Sequence, residues 1–593
     1  MRTTSLLWLS VVAACSSSAV SPVPARPVSK PHPAPLSSTA ILTGSRIVAT
    51  ADGALVIDED SGSLVDLAGR TLRIGRGAGQ LVYDPDGGRV YVADRSADHV
   101  AVVDVRRFEV IDRWDTPAEP FGIALSPDRG SLLVTTIADR TLAALDTHTG
   151  RERWRASISQ GARGVSVSPD GTRALVGNTA TGDIDLVELD GEHRVATIPF
   201  DLSCEHCAMA GAYARGTGTV LFQDATHAIA TFQRSTPSIL INTTTDLYGG
   251  GTAPPVTQHV AFFTLSAASA SETVAQVAAN QPRPLAWDGT RDLLFIAGHG
   301  SDTLLELPGT GTSEATTTEG NASDVVLRAG RRCGPDGMAV APDGSLFVWC
   351  SFTRSVLRIA NIDPADIARA ELTETPPLVA SAWTDTQLRG RVLFDSTTRK
   401  INLDGALACT VCHSDGLADG LSWKIGTQDL QTPILAGRLV GTAPFRWDGS
   451  APTLEASLAS TVHRLGGSGM SADETAAIIA YIQSLPRPRP PTRDAAAIAR
   501  GRHVFEVDAN CISCHDGPTY SDGETHQFAA STLSNANTPS LIGLASSAPY
   551  YHDGSAATLD DLLAGRGAVH GMADMSALTA TQRADLNAFL QSL

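Results

Sequence analysis

Two stretches of this chain place two thiols and an imidazole at a fixed short spacing: Cys409-Thr-Val-Cys412-His413 and Cys511-Ile-Ser-Cys514-His515. A Cys-x-x-Cys-His run is the attachment sequence for c-type haem. Two thiols three apart on a helical turn reach both vinyl groups of one porphyrin edge, and the next residue brings an imidazole to the iron. The runs predict two covalently bound haems c. Cys409, Cys412, Cys511 and Cys514 would be the thioethers, with His413 and His515 as proximal iron ligands. The remaining cysteines read differently. Cys204-Glu-His206-Cys207 is followed by Ala208 and so lacks the iron-binding His. A disulfide is its first reading, and a metal site with His206 its second. Cys333 and Cys350 stand at the far ends of a strand–turn–strand unit, which predicts a cross-strand disulfide.

The elements that must hold the two runs are duplicated. Thr442-Ala-Pro-Phe-Arg-Trp447-Asp-Gly449 matches Ser547-Ala-Pro-Tyr-Tyr-His552-Asp-Gly554, and Thr432-Pro433 matches Thr538-Pro539. Tyr481-Ile-Gln-Ser-Leu485 matches Phe589-Leu-Gln-Ser-Leu593, each ending an amphipathic helix. The first of these helices opens with Ser471-Ala-Asp-Glu474, a capping box. Two helical c-type cytochrome lobes are therefore expected over 387–485 and 495–593. The Pro-rich stretch 486–494 would be a stiff connector between them.

This arrangement resembles the bacterial di-haem cytochrome c peroxidase family, which includes the enzyme that matures a tryptophan-derived quinone cofactor. The resemblance covers about 387–593. It implies that one haem meets peroxide while the other stores or relays an electron, with Trp447 between them. It also implies calcium at the lobe interface, where Ser547 and Pro549 offer backbone oxygens; a plain turn is the alternative. A small electron-donor protein of cytochrome or cupredoxin type is the implied partner. The family's peroxidatic Gln and Glu fall here at Ser457 and Gly467, and nearby Glu455 reads as a solvent-facing helix start. Peroxide reduction is therefore open. The family's distal Met position points to Met572, with His570 and Met575 as alternatives, and the matching first-lobe position points to His463. Met470 reads as packing, and His526 as a residue that orders its loop.

Upstream, Asp84-Pro-Asp-Gly87, Ser126-Pro-Asp-Arg129 and Ser168-Pro-Asp-Gly171 recur at intervals of 42 residues, each before a β-rich run. Weaker copies begin at Ala286 and Ala341. Pro-Asp-Gly is turn chemistry, and four short strands in about 42 residues is the period of a propeller blade. The phrases resemble cell-surface propeller repeats with a Tyr-Val-Thr-Asn-like strand. An all-β propeller over 44–378 is expected, with seven blades, or eight as the alternative. The gap between 168 and 286 has room for two eroded blades, and Arg46–Asp58 would help to close the ring. The propeller is either a platform for the lobes or a face for an unidentified ligand.

At the N-terminus, residues 1–14 read as a short signal peptide, and Val12-Ala-Ala-Cys15 resembles a lipobox with Cys15 as the lipidated residue. Residues 15–43 are a Pro/Ser-rich tether. These features imply a cell-envelope lipoprotein, with the outer membrane favoured by Ser16. A net charge of −18, from 45 Lys+Arg against 63 Asp+Glu with no basic run, excludes a nucleic-acid partner. The functional expectation is an oxidoreductase of the di-haem peroxidase type. A non-enzymatic electron carrier with both irons six-coordinate, and a propeller-based sensing protein, are the alternatives.

Overall fold

The computed structural model describes residues 42–593 apart from 201, 203–210, 238–254, 267–269, 310–322, 328–331, 364–366, 404, 529–531 and 567–574. Cys15, Cys204, Cys207, His570 and Met572 lie outside the described residues.

Seven antiparallel sheets follow one another along the chain, spanning 47–73, 78–115, 120–157, 162–198, 213–276, 282–326 and 335–374. They are the blades of a seven-bladed β-propeller. Buried Val, Ile, Leu and Ala from successive sheets form shared cores, as between blades 2 and 3 through Val82, Val102, Ile123 and Val134. The repeated turns work as their composition implies. Ser168 Oγ donates to Asp170 at 2.6 Å, and Gly171 takes φ 73°. In the neighbouring copy Arg129 occupies the left-handed position at φ 58°.

The count of seven agrees with expectation, but the blades are distributed differently. Residues 200–280 form one blade, not two. Its long strands His227–Ser235 and Val256–Leu265 pair along their length, and two short strands share the same inner edge. Conversely, Ile47–Arg73 is a complete blade. Its first hairpin turns at Ala51-Asp-Gly53, a reduced form of the repeated phrase. The ring closes by packing. Ile47, Ala54 and Val56 of the first blade bury against Phe347, Trp349 and Val356 of the last. Cys333 and Cys350 are disulfide-bonded in that last blade, with Cα atoms 4.5 Å apart. Before the first blade, residues 42–45 run along the inner strands, bridging at Thr43–Ala124 and Ser45–Leu81. Gly44 is required there, since a Cβ would sit 2.3 Å from the Ile123 carbonyl oxygen.

The helical region rests on the face where the inner strands begin. Its first lobe contains α1 (Asp385–Asp395), α2 (Cys409–Cys412), α3 (Leu454–Arg464) and α4 (Ala472–Ser484). The second contains α5 (Ala495–His503), α6 (Leu559–Asp561) and α7 (Ala580–Gln591). In each lobe the first and last helices cross at a glycine. A Cβ on Gly390 would lie 1.9 Å from Ala477 O, and one on Gly501 would lie 1.9 Å from Asp585 O. Aromatic pairs lock both crossings: Phe394 with Tyr481 at 5.4 Å, and Phe505 with Phe589 at 5.2 Å. Ser471 and Glu474 form the expected capping box on α4.

Candidate haem sites and the junction between the lobes

In the first lobe α2 carries Cys409 and Cys412, and the His413 amide donates to Cys409 O at 2.9 Å, which continues the turn through the imidazole. In the second lobe Cys511–Ser513 forms a tighter turn, and the His515 amide closes on Cys511 O at the same 2.9 Å. All four cysteines are outside disulfides. Burial pushes the Cys409 thiol up to about 12 and the Cys511 thiol up to about 11, so both are neutral. Burial also pulls both imidazoles down, His413 to about 4. A neutral imidazole is the form that ligates a metal. The His515 Nδ1 lies 3.0 Å from Tyr520 O, a contact that places the proton on Nδ1 and leaves Nε2 to bind a metal. This donor set fits covalent haem at both runs.

The surroundings of the two runs differ. Blade 5 and blade 6 cover α2: Gln233 Nε2 donates to Val411 O at 3.0 Å, and an Arg283 guanidinium N–H donates to Thr410 Oγ1 at 3.2 Å. Val256 packs on Leu407, Ala408 and Val411. Just beyond His413, Asp415 takes φ 54° and pairs with Arg163 at 2.8 Å. Although burial acts against its charge, Arg163, Arg95 and Arg283 hold that carboxyl below the usual range. Among the described residues of the second lobe nothing comparable covers the turn, and Ile512 is 39% exposed.

The lobes meet through a reciprocal junction. Asn537 N donates to Trp447 O at 2.8 Å, and in the equivalent place Gln431 N donates to His552 O at 2.6 Å. The side chains follow the same symmetry. Asn537 Nδ2 donates to Pro444 O at 2.7 Å, and Gln431 Nε2 donates to Ser547 O at 3.2 Å. Trp447 Nε1 donates to Gln431 O at 2.8 Å, fixing the indole to the first-lobe residue that reaches across to His552. Both repeated phrases also contain a cis Ala–Pro bond.

Calcium does not fit this junction. Ser547 O already accepts from Gln431, and the charged side chain beside it is a cation, Arg438. Arg438 is 8% exposed; its Nε donates to Ile542 O and an Nη lies 3.4 Å from Ser547 Oγ. Calcium needs six to eight oxygen ligands, and N–H donors with a guanidinium offer the opposite polarity.

The remaining candidates fall as follows. His463 is exposed in the last turn of α3, where the neighbouring Val462 is buried. Met470 packs in the first-lobe core with Phe394 and Ile478, and Met575 in the second-lobe core with Leu586. His526 bonds Asp522 at 2.7 Å and bridges to Ala536, ordering its loop. Glu455 is exposed at the start of α3. Gly467 is packed so closely that a Cβ would meet Lys400 O at 2.4 Å and Ile401 O at 2.5 Å. Sequence reasoning missed the arginine cluster around Asp415 and the paired glycines. The repeated Arg389-Gly-Arg391 and Arg500-Gly-Arg502 was the available signal for the glycines.

The cytochrome c family model matches residues 498–593. Methylamine utilization protein MauG of Methylorubrum extorquens is 26% identical over 236 residues, covering 29% of this chain and 66% of that protein. The chain therefore spans just under two thirds of that relative's length. Among solved structures, the Kuenenia stuttgartiensis hydrazine synthase is 19% identical and covers 56% of this chain and 100% of its own, with a TM-score of 0.43. A MauG-like protein associated with microbial copper homeostasis is 20% identical over 36% of this chain and 89% of its own, with a TM-score of 0.30. The C-terminal lobe is a cytochrome c domain, and the chain has distant homology to MauG. Covalent haem c places the protein outside the cytoplasm, and among the described residues no helix is long and apolar enough to cross a membrane.

Proposed function

We propose that this chain is a cell-envelope di-haem oxidoreductase of the peroxidase type, anchored through Cys15. Substrate chemistry belongs to the first lobe, and electron exchange with a small cytochrome or cupredoxin to the second. The observation that carries this reading is the reciprocal junction: the backbone of Trp447 and His552 ties each attachment lobe to the other by matched hydrogen bonds. Haem c on each run would supply one-electron redox chemistry. The chain's own part is positional. Gln431 fixes the indole of Trp447 at the junction, Tyr520 O orients the His515 imidazole, and blades 5 and 6 exclude water from α2.

One observation favours the non-enzymatic carrier as a second reading. Gly467 has no room for a side chain, and Glu455 faces solvent, so neither position supplies a carboxyl for peroxide cleavage. Oxidation of an organic substrate is accordingly the preferred enzymatic form over peroxide reduction. Electron paramagnetic resonance of the oxidised and half-reduced protein separates the two. A high-spin iron alongside a low-spin one is expected for the enzyme. Two low-spin irons would establish the carrier instead.

A further inference from the structure

A cleft opens where the propeller, the first attachment segment, the connector and the second lobe meet. It is open to solvent, and five arginines line it: Arg140, Arg163, Arg215, Arg283 and Arg489. In a chain carrying a net charge of −18 this is a local reversal of sign. The charges are unevenly compensated. Arg163 pairs with Asp415, Arg489 with Asp98, and Arg283 reaches Asp336 at 3.7 Å. Among the described residues neither Arg215 nor the solvent-exposed Arg140 has a carboxylate within ion-pair distance, and Asp419 and Asp183 act on Arg215 from farther away. Arg215 donates only to carbonyl oxygens: Asp419 O at 2.7 Å, Ala214 O at 2.6 Å, Thr181 O at 3.1 Å and Gly420 O at 3.5 Å. Arg140 donates to Ala545 O at 3.1 Å. Desolvation lowers the pKa of both guanidinium groups, opposed by Asp419 and Asp183 at Arg215 and by Tyr550 at Arg140.

A second observation points the same way. Gln258, from the long blade-5 strand, lines the cleft at 6% exposure, and its buried Nε2 has no hydrogen-bond partner. An orphaned buried donor costs roughly 1–3 kcal/mol. Two guanidinium groups without a close ion pair and an unpaired buried amide N–H along one cleft suit oxygens that carry negative charge. Cys412 and Ser414 form part of the same wall, so whatever binds lies beside the first attachment segment.

We propose that this cleft is a binding site for a small multivalent anion, a dicarboxylate or a phosphate-type oxyanion, recognised by Arg140, Arg215 and Gln258. Binding rests on these residues alone. Its effect on redox behaviour rests on the reading that haem is attached at Cys412. An anion there favours the oxidised form of a neighbouring haem, so it lowers that haem's potential, and by linkage the oxidised protein binds it more tightly.

The test is calorimetric titration of the holoprotein at low ionic strength, with inorganic phosphate in one arm and succinate in the other. Saturable binding of one anion per chain is expected in at least one arm, and the better ligand identifies the source. Arg140→Gln should weaken it roughly tenfold, the value of one charge-assisted contact. Arg140→Glu should abolish it, and Gln258→Leu should weaken it without touching a charge. Arg106→Gln, on an exposed outer turn of blade 2, should change nothing. Because Arg215 also holds the Asp419–Gly420 backbone, it is left intact. Absence of saturable binding in both arms, or equal affinity in Arg140→Glu, overturns the site. Saturable binding that moves no reduction potential keeps the site and overturns its coupling to the first haem.

Discussion

The residues with the most chemistry were also the easiest to read. Cys-x-x-Cys-His fixes two bonds and one ligand within five positions, so its meaning is local and survives without a fold. Calcium was not legible in that way, because an interface site is built from backbone oxygens whose availability depends on what packs against them. Here Gln431 reaches Ser547 O and Arg438 brings a buried guanidinium to the same place. Neither residue signals its role in sequence. Metal removal therefore should have no effect at the junction. A cation bound at 100 times its dissociation constant would contribute about 2.7 kcal/mol. We expect the thermal midpoint to be unchanged by excess chelator and by added calcium. A chelator-induced fall that calcium restores would return the cation to the junction.

Elements were legible where their period was regular. Three turns spaced by 42 residues announced blades 2 to 4, whereas blade 5 was overcounted because its two long strands and split inner edge consume the length of two ordinary blades. The helix crossings were missed for another reason: a glycine needed for close approach looks in sequence like any other glycine. Blade 5 is also where pH should act. His259 lies on its second long strand with Nε2 2.7 Å from Thr257 Oγ1 and its ring 5.2 Å from Phe232. Burial, assisted by Arg234, pushes its pKa down to about 4. The folded value is below the unfolded one, so the unfolded chain binds more protons in this window. Stability from this group is full above about 6.5 and is lost as pH falls toward 4. Its ceiling is on the order of 3 kcal/mol. His259→Phe should flatten the stability–pH slope between pH 7 and 4.5 in urea unfolding. An identical slope in the variant would place the acid sensitivity elsewhere. Since blade 5 covers α2, acid loosening of this blade should reach the first attachment segment before the second.

At the scale of the molecule, two matching lobes are legible in the sequence, but it carries no sign that the propeller treats them differently. That asymmetry arises from docking across hundreds of residues: Arg391 to Asp60, Gln281 to Asp395 O, and Arg163 to Asp415. Its consequence is a difference in access. Thr410 and Val411, between the first pair of cysteines, are each 3% exposed, whereas Ile512 between the second pair is 39% exposed and nearby Val507 is 60% exposed. A small donor protein needs close contact with an attachment edge, and apolar residues at the centre of such contacts carry most of the affinity. The first edge is closed to it by blades 5 and 6, and the second presents Ile512 and Val507 to solvent. Stopped-flow reduction by a soluble cytochrome or cupredoxin should therefore be biphasic. The fast phase should rise with donor concentration and belong to the lobe holding His515. The slower phase should be independent of donor, because those electrons cross the Trp447 junction. Ile512→Glu should slow the fast phase roughly tenfold, the cost of one desolvated charge or lost anchor of about 1.4 kcal/mol. It should leave the slow phase nearly unchanged. If both phases respond equally to donor concentration, the propeller does not shield the first lobe, and electrons enter by two doors.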